Sequence, residues 1–226
     1  MSEVIIKNHK QIIPTYVPKK AHELPRFFEN KPYQGAAGRG YPIPYCDGIS
    51  DEKTDVEYDV YTLENEYIKT QVVPALGGKR LRGLDKVGNH DFIYYNEVVK
   101  PALVGLAGPW ISGGMEFNWP QHHRRTTYMP LEAVEEVNPD GGKTVWTGEV
   151  EPFGRMKGMA GITVDKGRSY IKAKVRVYNR TAFAQVFMWW ANLAVPVNDD
   201  YRTVFPPDCE WVNDHDRRAV LEWPIA

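Results

Sequence analysis

The sequence predicts an all-β chain of packed antiparallel sheets, and three observations carry that expectation. Aromatic and turn-forming residues are both abundant, with 7 Trp, 13 Tyr and 8 Phe beside 19 Gly and 17 Pro. Flat and β-branched side chains suit a pleated, half-buried surface, and Gly and Pro cut that surface into short strands. Several stretches alternate apolar and polar residues with a period of two, whereas no window beyond the N-terminal leader sustains helical periodicity.

In chain order, residues 1–50 read as an extended Pro/Tyr-rich arm. Pro14, Pro18, Pro25, Pro32, Pro42 and Pro44 recur too often for a long helix or a central strand. One or two helical turns fit His22–Asn30, and Tyr33, Tyr41 and Tyr45 are candidate anchors for the arm. Residues 51–226 read as the β-sandwich domain. Val56, Tyr58 and Val60 alternate with Glu57, Asp59 and Tyr61, which marks the first strand of the sheet. Ile68–Val73 follows and stops at Pro74 and Gly77-Gly78, and further strands fit Lys79–Leu84 and Asp91–Tyr95. The turn residues Asn138-Pro-Asp-Gly-Gly142 between Leu131–Val137 and Lys143–Val150 predict a hairpin. A second hairpin joins Gly161–Val164 to Ser169–Tyr178. Its apolar face carries Ile171, Ala173, Val175 and Val177, and a solvated face carries Lys172, Lys174 and Arg176. Phe183–Val195, dense in aromatics, reads as a central strand covered on both faces, or covered by ligand on one. Leu221, Trp223 and Ile225 alternate as a last strand.

Composition narrows the function classes. With 28 basic against 29 acidic side chains, no charge excess draws the chain to nucleic acid or to an anionic membrane surface. No apolar run is long enough for a transmembrane helix. Cys46 and Cys209 form no C-x-x-C or Cys/His set, so neither a disulfide framework nor a zinc finger is indicated, and a cytoplasmic, reducing setting fits. No cofactor is needed to fold a chain of this size.

Candidate chemistry concentrates in Trp110–Arg125, which combines an acid, two amides, two imidazoles, two guanidiniums and two indoles. Gly113 and Gly114 permit a bend. If Met115–Trp119 is extended, Glu116 and Asn118 share one face while Phe117 and Trp119 share the other. His122 and His123 then point apart, which argues against a metal site, and no metal is expected. A sugar requires flat rings beneath its C–H faces and planar polar groups that fork to neighbouring hydroxyls. Trp110, Asn118, Trp119 and Arg124 fit those binding roles, and Glu116, His122 and His123 can exchange protons near neutral pH. A structural alternative ties His122 and Arg124 to buried carbonyls and Glu116 to Arg125. Trp189-Trp-Ala-Asn192 supplies two more candidates, Trp190 and Asn192. An Asn among rings on a buried strand needs partners, and backbone or ligand can provide them.

Asn65-Glu-Tyr-Ile-Lys-Thr-Gln-Val-Val-Pro-Ala-Leu-Gly-Gly78, with Leu81, Leu84 and Phe92-Ile-Tyr-Tyr-Asn96, resembles the opening strands of the galactose mutarotase-like domains. Trp110–Arg125 and Trp189–Asn192 resemble more specifically a bacterial subfamily of uncharacterised function, whose domain usually precedes tetratricopeptide repeats. The resemblance implies a β-supersandwich with a carbohydrate cleft, truncated here at the C-terminus, and tetratricopeptide repeats C-terminal to it in a longer parent chain. Mutarotases open and reclose an aldose ring with a His acid and a Glu base. The strand that resembles the bearer of that His reads Trp189-Trp-Ala-Asn192 and has none, so the acid role moves to His122 or His123 and Glu116 substitutes for the base. The expected function is therefore carbohydrate binding, with epimerase (isomerase) or glycoside hydrolase-like chemistry at an anomeric centre if catalytic. A hydrolase needs a second carboxyl group, for which Glu97 and Asp91 are candidates. The alternative is a non-catalytic sugar-binding module or a scaffold or interaction module of a larger protein.

Overall fold

The computed structural model describes residues 3–23, 46, 48–79, 81–104, 108–119, 123, 125–151, 154–214 and 219–223. Of the sequence-based expectations, the helical turns at His22–Asn30, the anchors Tyr33, Tyr41 and Tyr45, and the site candidates His122 and Arg124 lie wholly or largely outside them. The described chain is an all-β antiparallel sandwich. A five-stranded meander runs in the order β1 (Ile5–Tyr16), β2 (Lys53–Glu64), β3 (Ile68–Val72), β4 (Arg82–Asp85) and β5 (His90–Ile93). Two short ribbons draw on the middle of the chain. One pairs β6 (Ala102–Val104) with β7 (Gly108–Trp110), and the other pairs β8 (Met115–Asn118) with β13 (Trp190–Leu193). The second large sheet runs β12 (Ile171–Tyr178), β11 (Lys157–Val164), β10 (Lys143–Val150) and β9 (Glu132–Val137).

The two predicted hairpins form as expected, β9 with β10 and β11 with β12. The outer cations of β12 are engaged: Lys172 pairs with Asp165 at 2.6 Å, Lys174 reaches Asn138 and Thr144, and Arg176 lies over the Trp146 ring.

One core is shared by both sheets and by β8. Leu63, Ile68, Val72 and Ile93 meet Val145, Ala160, Ile162 and Val164, with Phe117 and Trp119 among them. Each fully buried aliphatic side chain contributes about 1.5–3 kcal/mol. Trp119 stacks on Trp189 with centroids 5.3 Å apart and planes 5° from parallel. Gly158 makes room for it, since a Cβ there would fall 2.8 Å from Trp119 Cδ2 and still nearer its Cε2 and Nε1. A second cluster gathers Ile13, Tyr58, Val60, Val73, Leu76, Val99 and Ile111.

Two local expectations are corrected. The first sheet does not start after Ser50, because β1 pairs with β2 along its whole length from Ile5↔Glu64 to Tyr16↔Lys53. Pro14 is tolerated because β1 is an edge strand, where a missing N–H breaks no ladder. On that side Val99 N donates to Pro14 O and Tyr16 N donates to Val99 O. Phe183–Val195 is not a doubly covered central strand. Only Trp190–Leu193 is a strand, and among the described residues its approach is open to solvent, with Val186 86% exposed.

The chain divides into two compact units, residues 1–196 and 197–226. The second contains the hairpin of β14 (Trp211–Asp214) and β15 (Ala219–Glu222), with Phe205 against Trp223 at 4.4 Å. Among the described residues no helix is long and apolar enough to cross a membrane.

Candidate functional site

The candidate site forms around β8, and glycine geometry places that strand. Gly113 and Gly114 adopt φ of +85° and +69°, the left-handed region in which a side chain is strained. Gly114 N donates to Tyr94 O at 2.7 Å, Ala194 N to Gly114 O at 2.9 Å, and Tyr94 N to Ala194 O at 3.0 Å. These bonds tie the ends of β5, β8 and β13 together. From there the predicted alternation holds: Phe117 and Trp119 enter the core, while Glu116 and Asn118 turn to the opposite face.

Glu116 is 3% exposed and ringed by side chains. Its Oε2 accepts from Trp110 Nε1 at 3.1 Å, and its Oε1 accepts from Thr127 Oγ1 at 3.0 Å and from His123 Nδ1 at 2.9 Å. Lys79 Nζ stands 3.7 Å from Oε2, lies 4.0 Å from the centre of the Trp110 ring and donates to Ile111 O. Burial by itself would push this carboxyl up. The His123 hydrogen bond, the Lys79 charge and the Trp110 hydrogen bond outweigh it and bring the pKa down to about 2. Glu116 is thus an ionised acceptor at neutral pH and a weak base.

The tautomer of His123 follows. A carboxylate only accepts, so Nδ1 carries the proton at the 2.9 Å contact. Asn118 Nδ2, 3.5 Å from the same Nδ1, is then not donating to it. Proton exchange by this ring with anything outside must run through Nε2. The His123 side chain is 26% exposed, so the dyad reaches solvent on one side.

The β8–β13 register brings the two sequence segments together, with Asn192 opposite Glu116 and Trp190 opposite Asn118. Directly opposed residues of an antiparallel pair share a face. Asn192 is exposed and Trp190 half-buried, so this Asn is not the buried one expected from the rings around it. Trp110 belongs to the network, whereas Trp119 lies in the core rather than on an accessible surface. Asp91, a candidate second carboxylate, is held bidentately by Arg82 at 2.7 and 3.0 Å. Among the described residues no group of three or more His, Cys, Asp or Glu side chains is placed to hold a metal ion. Sequence reasoning missed Lys79 and Thr127; Lys79 belongs to the basic run Lys79-Arg-Leu-Arg82, and nothing local separates it from an ordinary solvated cation.

The depressed pKa gives a pH test. A carboxyl whose folded pKa lies below its unfolded value of about 4.3 contributes stability that is complete above that value and lost as pH falls toward about 2. The contribution is about 3 kcal/mol at pH 7, with roughly half gone by pH 3. Urea unfolding of the wild type and Glu116→Gln at both pH values should show a stability gap that shrinks on acidification. An equal gap at both would mean that Glu116 is not ionised in the fold.

Residues 36–226 match the family model of a domain of unknown function, DUF5107. The fold is similar to that of a TPR-domain containing protein from Parabacteroides distasonis ATCC 8503, with 24% identity and a TM-score of 0.75 over 87% of this chain. The chain spans 33% of that protein's chain, and the likeness is one of fold. By a match that covers both large sheets apart from β1, together with β8, its buried Glu116 network and the β13 strand beside it, the chain belongs to the DUF5107 domain family.

Proposed function

We propose that this domain binds carbohydrate, as a β-supersandwich of the galactose mutarotase-like kind, on the face that β8 and β13 share. The observation that carries the reading is the register placing Asn192 opposite Glu116 and Trp190 opposite Asn118, with His123 held on Glu116 at 2.9 Å. The amide and imidazole supply planar hydrogen-bonding groups, the indole supplies a ring, and Glu116 holds the imidazole from below. Both cysteines are free thiols, in keeping with a reducing, cytoplasmic setting. In a longer parent chain the domain precedes tetratricopeptide repeats, as its similarity to a TPR-domain containing protein suggests.

A catalytic version of this reading is favoured by one observation, the carboxylate–imidazole pair. With Glu116 too weak a base, proton transfer at an anomeric centre would fall to His123, and Glu116 would orient it. Calorimetric titration with a panel of monosaccharides and oligosaccharides is expected to detect binding that Asn192→Ala and Trp190→Ala each weaken at least tenfold. No binding across the panel would overturn the proposal. Polarimetry of aldose anomers separates the two versions: turnover lost in His123→Gln with binding retained marks an enzyme, and binding without turnover in the wild type marks a module.

A further inference from the structure

A second concavity lies elsewhere on the larger unit. It is an open depression of about 1000 Å³ between the β4–β5 turn, the β11–β12 turn and the β8–β13 ribbon. Its floor is apolar: Phe92, Met115 and Ile171 pack against the main core, and Leu193, 47% exposed, continues that surface into solvent. Met115 and Leu193 oppose each other across the ribbon, one residue along from Glu116 and Asn192. They therefore turn to the other side of it.

The rim is rich in donors. The Arg168 guanidinium, the Tyr67 and Tyr170 phenols and the Ser169 hydroxyl line it, and among the described residues none of these four side chains makes a hydrogen bond or ion pair. The one carboxylate on the rim, Asp85, is already engaged, accepting from Val87 N at 2.9 Å and standing 3.6 Å from His90 Nδ1. The walls are cross-linked by hydrogen bonds. Buried Asn65 donates to Asp165 O at 2.8 Å and Arg168 O at 2.7 Å, and accepts from Tyr67 N and Ile68 N at 2.9 Å each. Lys86 N donates to Tyr67 O at 2.8 Å. One amide thus staples the β2–β3 turn to the β11–β12 turn, and the β4–β5 turn is tied to the β2–β3 turn. A preformed apolar hollow with a few convergent polar groups is the usual form of a small-ligand site.

We propose that this depression binds a small amphipathic anion, its apolar body on Phe92, Met115 and Leu193 and its acidic head on Arg168 and the neighbouring hydroxyls. The site is independent of the carbohydrate reading. The probe is 8-anilinonaphthalene-1-sulfonate, an aromatic body with one anionic group, followed by fluorescence with the whole chain. Enhancement is expected to be displaced by octanoate at lower concentration than by 1-octanol. Arg168→Glu, an exposed change, is expected to weaken binding at least tenfold, and Leu193→Asp to remove it. Phe187→Ser, on the exposed segment before β13, should leave it intact. No enhancement, enhancement that survives Arg168→Glu, or equal displacement by octanoate and 1-octanol would each overturn the proposal. Should Leu193→Asp fail to fold, Arg168→Glu and the displacement pair still decide it.

Discussion

Replacing Lys79 with methionine is expected to lower stability by about 3–5 kcal/mol at pH 7, read as a fall in the urea midpoint at unchanged slope. Methionine keeps much of the volume and removes the charge and its N–H donors. Lys79 and Glu116 are each 3% exposed, so the carboxylate left behind has no solvent and, among the described residues, no cation to compensate it. Its hydrogen bonds to Trp110, Thr127 and His123 remain, but they stabilise the anion less without the ammonium 3.7 Å away. Ile111 O also loses its donor. The carboxyl pKa then rises, and the acid-sensitive part of the stability shrinks with it. Adding Glu116→Gln to Lys79→Met should recover part of the loss, because a neutral amide needs no counterion. A loss under 1 kcal/mol in the single variant, or no recovery in the double one, would show that the pair does not carry charge in the folded chain.

Lys79 also marks the boundary of what the sequence makes legible. Alternation along Met115–Trp119 separates Glu116 and Asn118 from Phe117 and Trp119 correctly, because a strand has a fixed period of two whatever surrounds it. The turn chemistry at Asn138–Gly142 locates a hairpin for the same local reason. What covers a surface is not local. Ring density at Phe183–Met188 expresses an affinity for apolar surroundings, yet Val186 and Phe183 stand open among the described residues. Trp119 carries the same side chain as Trp110, but the absence of a Cβ at Gly158, far along the chain, is what lets it sink into the core. β1 was hidden by Pro14, whose missing N–H matters only if the strand has neighbours on both sides. The Glu116 partners come from positions 79, 110, 123 and 127, and only the middle two lie within the motif that drew attention. One lysine of the basic run Lys79-Arg-Leu-Arg82 stands out only once a buried acid is known to sit beside it.

Gly114→Ala is expected to destabilise the fold by about 3–4 kcal/mol, more than its one added methyl group suggests. Two penalties add. The left-handed φ of +69° costs a non-glycine residue about 1–2 kcal/mol. The new Cβ would also press into Lys79 O and lie 2.9 Å from Leu81 N, and backbone cannot rotate away as a side chain can. Relief requires Gly114 to move, which strains its bonds to Tyr94 and Ala194, or Lys79 to move, which pulls the ammonium from Glu116. Gly113→Ala provides the comparison. Its φ of +85° is equally unfavourable, but its Cβ would meet backbone no nearer than 3.0 Å, at Tyr95 Cα. It should therefore show the conformational penalty with little of the overlap. The difference in urea midpoint between the two variants isolates the steric contribution, and the Gly114 variant should also lose part of the acid-sensitive stability that Glu116 confers. Equal loss in both variants would mean that Lys79 yields freely, and that the close passage of β8 beneath it does not position the carboxylate.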